Sequence, residues 1–296
     1  MTRDLTRPDG DWSQGFQSLN GIDLHYVREG AGRPIILLHG WPEFWWAWHK
    51  IIPSLAAGFD VIAPDLRGFG QSRALSGDLP DAEAHAADIL ALADALNLER
   101  VGLVGHDVGS SVLQQIAQKA PDRVSGLFSF NTPYPGIGKR WVAPEHVQQI
   151  WYQSFNQLPW ATDLIGHSRE TCRLYIGGML RHWAYRPEVF DDQIEHWVDN
   201  FLRPGNLDGG FAWYKATHAA RMAQVREGAL PAPKITLPSR FFWGRHDPIL
   251  LADWVDGLEN YFTDPLIEIA EEAGHFVHLE QPEAASARIL DFFQSL

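Results

Sequence analysis

Val101-Gly-Leu-Val-Gly-His-Asp-Val-Gly109 is the stretch whose reading decides the fold. Val101–Val104 is an apolar run of the kind that forms a buried strand. Gly105-His106-Asp107-Val108-Gly109 reads as a tight turn, and residues 109–120 carry an amphipathic helical period. Strand, glycine-flanked turn and helix together make a nucleophile elbow, with Asp107 where Ser usually stands. The exchange changes the chemistry. A serine that attacked a saturated carbon would leave an inert ether. A carboxylate leaves an ester, which water can cleave in a second step. Asp107 therefore predicts substitution at an sp³ carbon. An isolated Asp at this place would be read as a helix N-cap. Glycine on either side and the apolar strand before it favour the nucleophile.

Outward from this segment, strands and helices alternate. Residues 16–28 read as a hairpin around Asn20-Gly21. Pro34–Leu38 and Asp60–Ala63 read as buried strands, 81–97 as a helix and Val124–Phe130 as a strand. From about Gly136 to Gly228 the strand pattern stops, and a Trp-, His- and Arg-rich block of helical period takes over, with loops at Gly205–Gly210. Alternation resumes with a strand at Arg240–Trp243, a helix at 250–260, a strand at Leu266–Ala270 and a helix at 282–295. This is the pattern of an α/β protein with a mostly parallel sheet between helices. The expected organisation is a sheet domain made of 1–135 and 229–296, interrupted by a helical cap at 136–228.

Composition narrows the function classes. The chain has 296 residues and a net charge of −13, which argues against nucleic acid or an anionic membrane as partner. No run approaches the ~18 apolar residues of a membrane span, and the first residues lack an apolar signal core. A single cysteine, Cys172, fits a reducing compartment, and its helical surroundings make it a packing residue. Together these predict a cytoplasmic enzyme. Oligomeric state is not readable. Thirteen Trp, with Trp45, Trp46 and Trp48 beside one glycine turn and others in the middle third, favour an apolar pocket.

Four loops at strand ends carry the candidate groups. Asp107 is the first. His275, after the last strand, would be the general base that activates water. His278 is an alternative, but Gly274 frees the turn that aims His275. Asp247, in Trp243-Gly-Arg-His-Asp247-Pro248, would hold the imidazole in one tautomer, with Asn131 and Asp122 as rivals. His39-Gly40-Trp41-Pro42 offers the backbone N–H of Trp41, which with that of Val108 would form an oxyanion hole. A cis bond before Pro42 is compatible with this loop. Arg67 would brace the turn Asp65–Ser72. No metal site is expected, because His275 and His278 lack the HExxH spacing and one cysteine makes no thiolate cluster. Nor is a nucleotide or flavin cofactor, because G-x-G-x-x-G and Walker A sequences are absent.

These segments resemble the α/β-hydrolase fold and, within it, the soluble epoxide hydrolase family. His39-Gly-Trp-Pro-Glu-Phe-Trp-Trp-Ala-Trp48 is similar to that family's HGxPExWxxW segment. Asp65–Ser72, Gly105-His-Asp-Val-Gly109, Phe130-Asn-Thr-Pro133 and Gly274-His275 fit as well, so the likeness spans nearly the whole chain. The resemblance implies two cap tyrosines that donate to the epoxide oxygen. Trp151-Tyr152-Gln153 and Phe211-Ala-Trp213-Tyr214 match those segments. It also implies a pocket near Trp41, Phe44, Trp45 and Pro133. The chain departs from common members at Val108, where many have Trp, and at Trp41, where Phe is usual.

The resulting expectation is an epoxide hydrolase that needs only a small apolar epoxide and water. The rival is a dehalogenase, which would use the same Asp107 and His275. Val108 cannot supply the indole by which haloalkane dehalogenases commonly bind halide. Val108 and Ser111 replace the two arginines of haloacetate dehalogenases. A binding protein that has kept the fold without turnover is a third reading, and the intact set of nucleophile, base and acid speaks against it.

Overall fold

The computed structural model describes residues 3–73, 79–228 and 231–296. Among these residues eight strands form one sheet: β1 (Gln14–Leu19), β2 (Ile22–Gly30), β3 (Arg33–Leu38), β4 (Phe59–Pro64), β5 (Val101–His106), β6 (Val124–Phe130), β7 (Ser239–Gly244) and β8 (Leu266–Ala270). Their order is β1-β2-β4-β3-β5-β6-β7-β8. β1 pairs with β2 and β2 with β4 antiparallel, and every later neighbour is parallel. The hairpin turn lies at Asn20 and Gly21, both with positive φ, as an Asn-Gly turn demands. β4 and β5 are buried along their whole length, as strands covered on both faces must be.

The helices are α1 (Ile52–Leu55), α2 (Ala82–Ala95), α3 (Val108–Lys119), α4 (Trp151–Phe155), α5 (Ala161–Ile165), α6 (Arg169–Trp183), α7 (Ile194–Phe201), α8 (Asn206–Glu227), α9 (Val277–Glu280) and α10 (Pro282–Gln294). α4 to α8 all fall between β6 and β7. The expected boundary at 229 falls on residues 229–230, outside the described residues. Among the described residues no helix is long and apolar enough to cross a membrane. β3 has β4 on one side and β5 on the other, so the chain changes direction across the sheet there. The crevice beyond the carboxyl ends of β3 and β5 is the place where open α/β sheets bind ligands.

Two elements differ from expectation. Residues 252–260 form 3₁₀ turns rather than an α-helix. Gly205–Gly210 is not a loop: Gly209 and Gly210 lie inside the first two turns of α8. They are glycines because of contact. A Cβ on Gly209 would stand 2.2 Å from the carbonyl oxygen of Gly68, and one on Gly210 would press on Phe201 and the Trp41 indole. Without side chains here, α8 sits directly on the Gly68 turn and Trp41. Cys172 is buried in α6, and burial pushes its thiol up to about 11.

Candidate active site

Asp107 occupies the N-cap of α3 with φ 46° and ψ −111°, outside the usual regions for a residue with a Cβ. The tightness of the turn is set by its glycines. A Cβ on Gly105 would lie 2.4 Å from Leu113 Cδ2, and one on Gly109 would lie 2.0 Å from the Leu38 carbonyl oxygen. The bend lifts the Asp107 carboxylate to the top of the sheet, where it is partly accessible. Oδ1 accepts the backbone N–H of Trp41 at 3.1 Å. The Trp41–Pro42 bond is cis. Val108, the first residue of α3, is buried beside it.

His275 and Asp247 come together across 28 residues, as the order of motifs led one to expect. His275 Nδ1 lies 2.7 Å from Asp247 Oδ2, and both side chains are buried. The same oxygen accepts from Asn131 Nδ2 at 2.6 Å, and Oδ1 accepts the N–H groups of Ile249 and Leu250. Asn131 is therefore a support for Asp247 rather than its rival. Asp122 is exposed ahead of β6, at the other end of the sheet. With its carboxylate fully hydrogen-bonded, Asp247 can only receive the Nδ1 proton, which leaves Nε2 as the reactive nitrogen. Nε2 is buried and has no hydrogen-bond partner among the described residues. Burial alone would lower the His275 pKa. The charge and hydrogen bond of Asp247, then the charges of Asp107 and Glu43, outweigh it and hold the imidazole up at about 9. Gly274 is required by close approach, not by a left-handed backbone: a Cβ there would stand 2.4 Å from the Trp183 carbonyl.

His278 points elsewhere. Its Nε2 meets Glu43 Oε1 at 2.9 Å, and burial pulls it down to about 4. Glu43 Oε2 also takes His106 Nδ1 at 2.7 Å and the Gly40 N–H at 2.7 Å. His106 Nε2 in turn donates to the His275 carbonyl at 2.9 Å. Glu43, His106 and His278 thus form a buried network directly behind the His275 backbone. Their ligand-type atoms fall within 4.8 Å of one another, and the bonds just named engage both oxygens of Glu43. The His39-Gly-Trp-Pro-Glu43 and Gly105-His106-Asp107 segments held this network in plain view, but spacing alone gave no reason to join them. Arg67 forms a two-pronged pair with Asp88, at 2.8 and 2.7 Å, which braces its turn.

Above the carboxylate stands an aromatic wall. Trp41 stacks on Tyr152 with ring centres 5.4 Å apart, and meets Tyr214 edge-on at 5.4 Å. The two tyrosines are 5.6 Å apart at right angles. Trp183, one of the tryptophans of the middle third, packs on Trp41, Tyr152 and His275. Burial, then the charge of Asp107, pushes the Tyr152 hydroxyl far above its ordinary pKa. Tyr214 is raised too, by burial first and then by Tyr152 and Asp107. Both phenols therefore keep their protons. Pro133 lines a neighbouring cavity of about 290 Å³ with Trp141, Trp213 and Arg221. Phe44 and Trp45 are set apart from this wall. Phe44 packs on Trp197, Trp45 on Trp12 and Trp46, and both border a different cleft with Arg7 and Arg203. Phe44 is extended, and Trp45 opens the 3₁₀ turn that follows it.

Residues 33–282 match the family model described as alpha/beta hydrolase fold. The chain is 34% identical over 292 residues to a soluble epoxide hydrolase of Corynebacterium sp. (strain C12), covering 94% of this chain and 96% of that one. The chain belongs to the α/β-hydrolase family, among the soluble epoxide hydrolases. This α/β hydrolase is also 30% identical to epoxide hydrolase A of Mycobacterium tuberculosis, over 94% of its own length and 96% of the relative's. Its fold superposes on the solved structure of the epoxide hydrolase CorEH without ligand with a TM-score of 0.84 and 31% identity, covering 96% of this chain and 99% of that one. Membership makes it a hydrolase, and the elbow, the buried histidine–aspartate pair and the aromatic wall are where its chemistry is to be sought.

Proposed function

We propose that this α/β hydrolase converts epoxides to vicinal diols through an ester on Asp107. The observation that carries the reading is a carboxylate at the elbow, held by the Trp41 N–H, beneath two buried phenols that pack on the Trp41 ring. Asp107 attacks one ring carbon; a C–O bond of the epoxide breaks and its electron pair moves to the ring oxygen. Tyr152 and Tyr214 donate to that oxygen, and one of them yields its proton. An alkoxide is a poor leaving group without such donors. Water then loses a proton to His275 Nε2 and attacks the Asp107 carbonyl carbon. The Trp41 N–H, already on Oδ1, and that of Val108 stabilise the tetrahedral anion. Collapse breaks the ester bond and releases the diol. The protons of the water complete the second hydroxyl and restore the tyrosine. Asp247 orients His275 and stabilises its cation.

The substrate class is a small apolar epoxide, since Trp41 and Trp183 pack with Tyr152 and His275 into an apolar wall beside the reacting group. In this reading residues 136–228 act as the cap that brings both tyrosines, while 1–135 and 229–296 carry Asp107, Asp247 and His275. The lone buried thiol fits work in a reducing compartment such as the cytoplasm.

Dehalogenation remains the second reading because the indole N–H groups of Trp41 and Trp183 lack partners among the described residues and their rings lie 5.5 Å apart. The same is true of the Trp48 and Trp197 indoles, and Trp197 packs on Phe44 and Phe190. Unpaired indoles therefore do not single out a halide, whereas two phenol donors suit an alkoxide. A panel of epoxides and organohalides, scored for diol and for halide, decides between them. Halide release without diol would overturn the epoxide reading. Single turnover in heavy-oxygen water should label Asp107 and not the first molecule of diol.

A further inference from the structure

Tyr152 is followed by Gln153 in α4, and α8 places Arg221 two turns after Tyr214, on the same face. Arg221 Nη1 donates to Gln153 Oε1 at 2.6 Å. Gln153 Nε2 lies 3.2 Å from the Tyr152 hydroxyl oxygen. The guanidinium also stacks over Trp141, its Cζ 4.1 Å from the ring centre, so it is held from its flank. A guanidinium can only donate. It therefore fixes which end of the Gln153 amide is the oxygen and turns the NH₂ toward Tyr152. That NH₂ can only donate as well. The Tyr152 oxygen must accept, and its own proton is left for another acceptor.

We propose that Arg221 and Gln153 are positioning residues that set the direction of the Tyr152 hydrogen bond, so that its proton points to the epoxide oxygen. The inference rests on the epoxide reading of the site and adds to it two residues that touch no reacting atom. Burial lowers the Arg221 pKa, while the nearby Tyr152, Tyr214 and Asp107 raise it. The cation also favours any negative charge that grows on Tyr152 as its proton leaves. Tyr214 stands outside this chain of bonds, so the two phenols are not equivalent: Tyr152 is the one with its proton direction imposed.

The test is Gln153→Glu. A carboxylate there still pairs with Arg221, but its second oxygen can only accept and would take the Tyr152 proton for itself. Single-turnover mixing with an epoxide the unaltered enzyme opens should show ester formation slowed roughly a hundredfold, the scale of a lost transition-state donor. Ester hydrolysis should be unchanged. In a Tyr152→Phe background neither Gln153→Glu nor Arg221→Gln should slow ring opening further, because both act through the missing hydroxyl. Arg221→Lys, which also only donates, should restore most of the rate lost in Arg221→Gln. Unchanged ring opening in Gln153→Glu, or losses that add in the Tyr152→Phe background, would overturn the proposal. Failure of the unaltered enzyme to open any epoxide would strike the reading of the site instead.

Discussion

Asp107 helps to set the charge of His275. Asp107 is one of the carboxylates that hold His275 up at about 9. The resting imidazole is therefore mostly a cation at neutral pH, and a cation is no base. Esterification removes the Asp107 charge, so the His275 pKa falls just when a base is needed. An NMR titration of His275 should show a midpoint near 9 in the unaltered protein and a clearly lower one in Asp107→Asn. Equal midpoints would show that the carboxylate does not act on the ring. His275→Gln should form the ester and fail to release it, losing about 10²- to 10⁴-fold in turnover and accumulating an adduct of substrate mass on Asp107. At this scale the sequence was informative where a motif fixed both residue and loop. Asp107, Asp247 and His275 each stand past a strand end, within two residues of a glycine or a proline. It gave Asn131 the wrong part, as a rival of Asp247, could not tell Trp183 from the other tryptophans of the middle third, and was silent on Arg221; their importance comes from partners that lie 116, 92 and 68 residues away in Asp247, His275 and Gln153. It grouped Phe44 and Trp45 with Trp41, whereas both border a separate cleft with Arg7 and Arg203.

The elements show why glycine needs tertiary context to be read. Gly209 looks like a helix breaker, and a propensity of about 1 kcal/mol against helix supports that view. In the fold it is the point where α8 touches the Gly68 turn, and the contact outweighs propensity. Gly209→Ala would put a methyl group 2.2 Å from the Gly68 oxygen. Overpacking of this kind costs about 1–3 kcal/mol and would tilt α8, which carries Tyr214. Denaturant melts should show the loss, and single-turnover mixing should show slower ring opening with ester hydrolysis unchanged. Gly178 is the contrasting case. It lies inside α6, exposed, and a methyl group added there would meet nothing within 4 Å. Gly178→Ala should stabilise the protein by about 0.5–1 kcal/mol and leave ring opening alone. The strands were more legible than the helices around them. Val124–Phe130 and Leu266–Ala270 coincide with β6 and β8, because a short apolar run between turn residues has few other solutions.

The whole molecule ties its stability to pH through buried histidines of opposite sign. His278 and His85 are buried and pulled down to about 4 in the folded chain, by burial above all. The unfolded chain would protonate them near the ordinary 6.5. Their contribution is thus present above pH 6.5 and is lost as pH falls toward 4, at up to about 1.4 kcal/mol per pH unit for each proton taken up. His275 works the other way. Its folded value near 9 exceeds 6.5, so its contribution is full below 6.5 and is lost as pH rises through 9. These terms together put the stability maximum near pH 6.5, with an alkaline limb that belongs to His275 and its carboxylates. Asp247→Asn removes the charge that contributes most to raising the ring. Urea midpoints measured from pH 5 to 9.5 should fall above pH 6.5 in the unaltered chain. The variant should start from a lower midpoint and hold it nearly level above pH 6.5, with the acid limb of His278 and His85 kept. An alkaline limb that survives Asp247→Asn would mean that another group carries it, and the link between the catalytic pair and the stability of the fold would be broken.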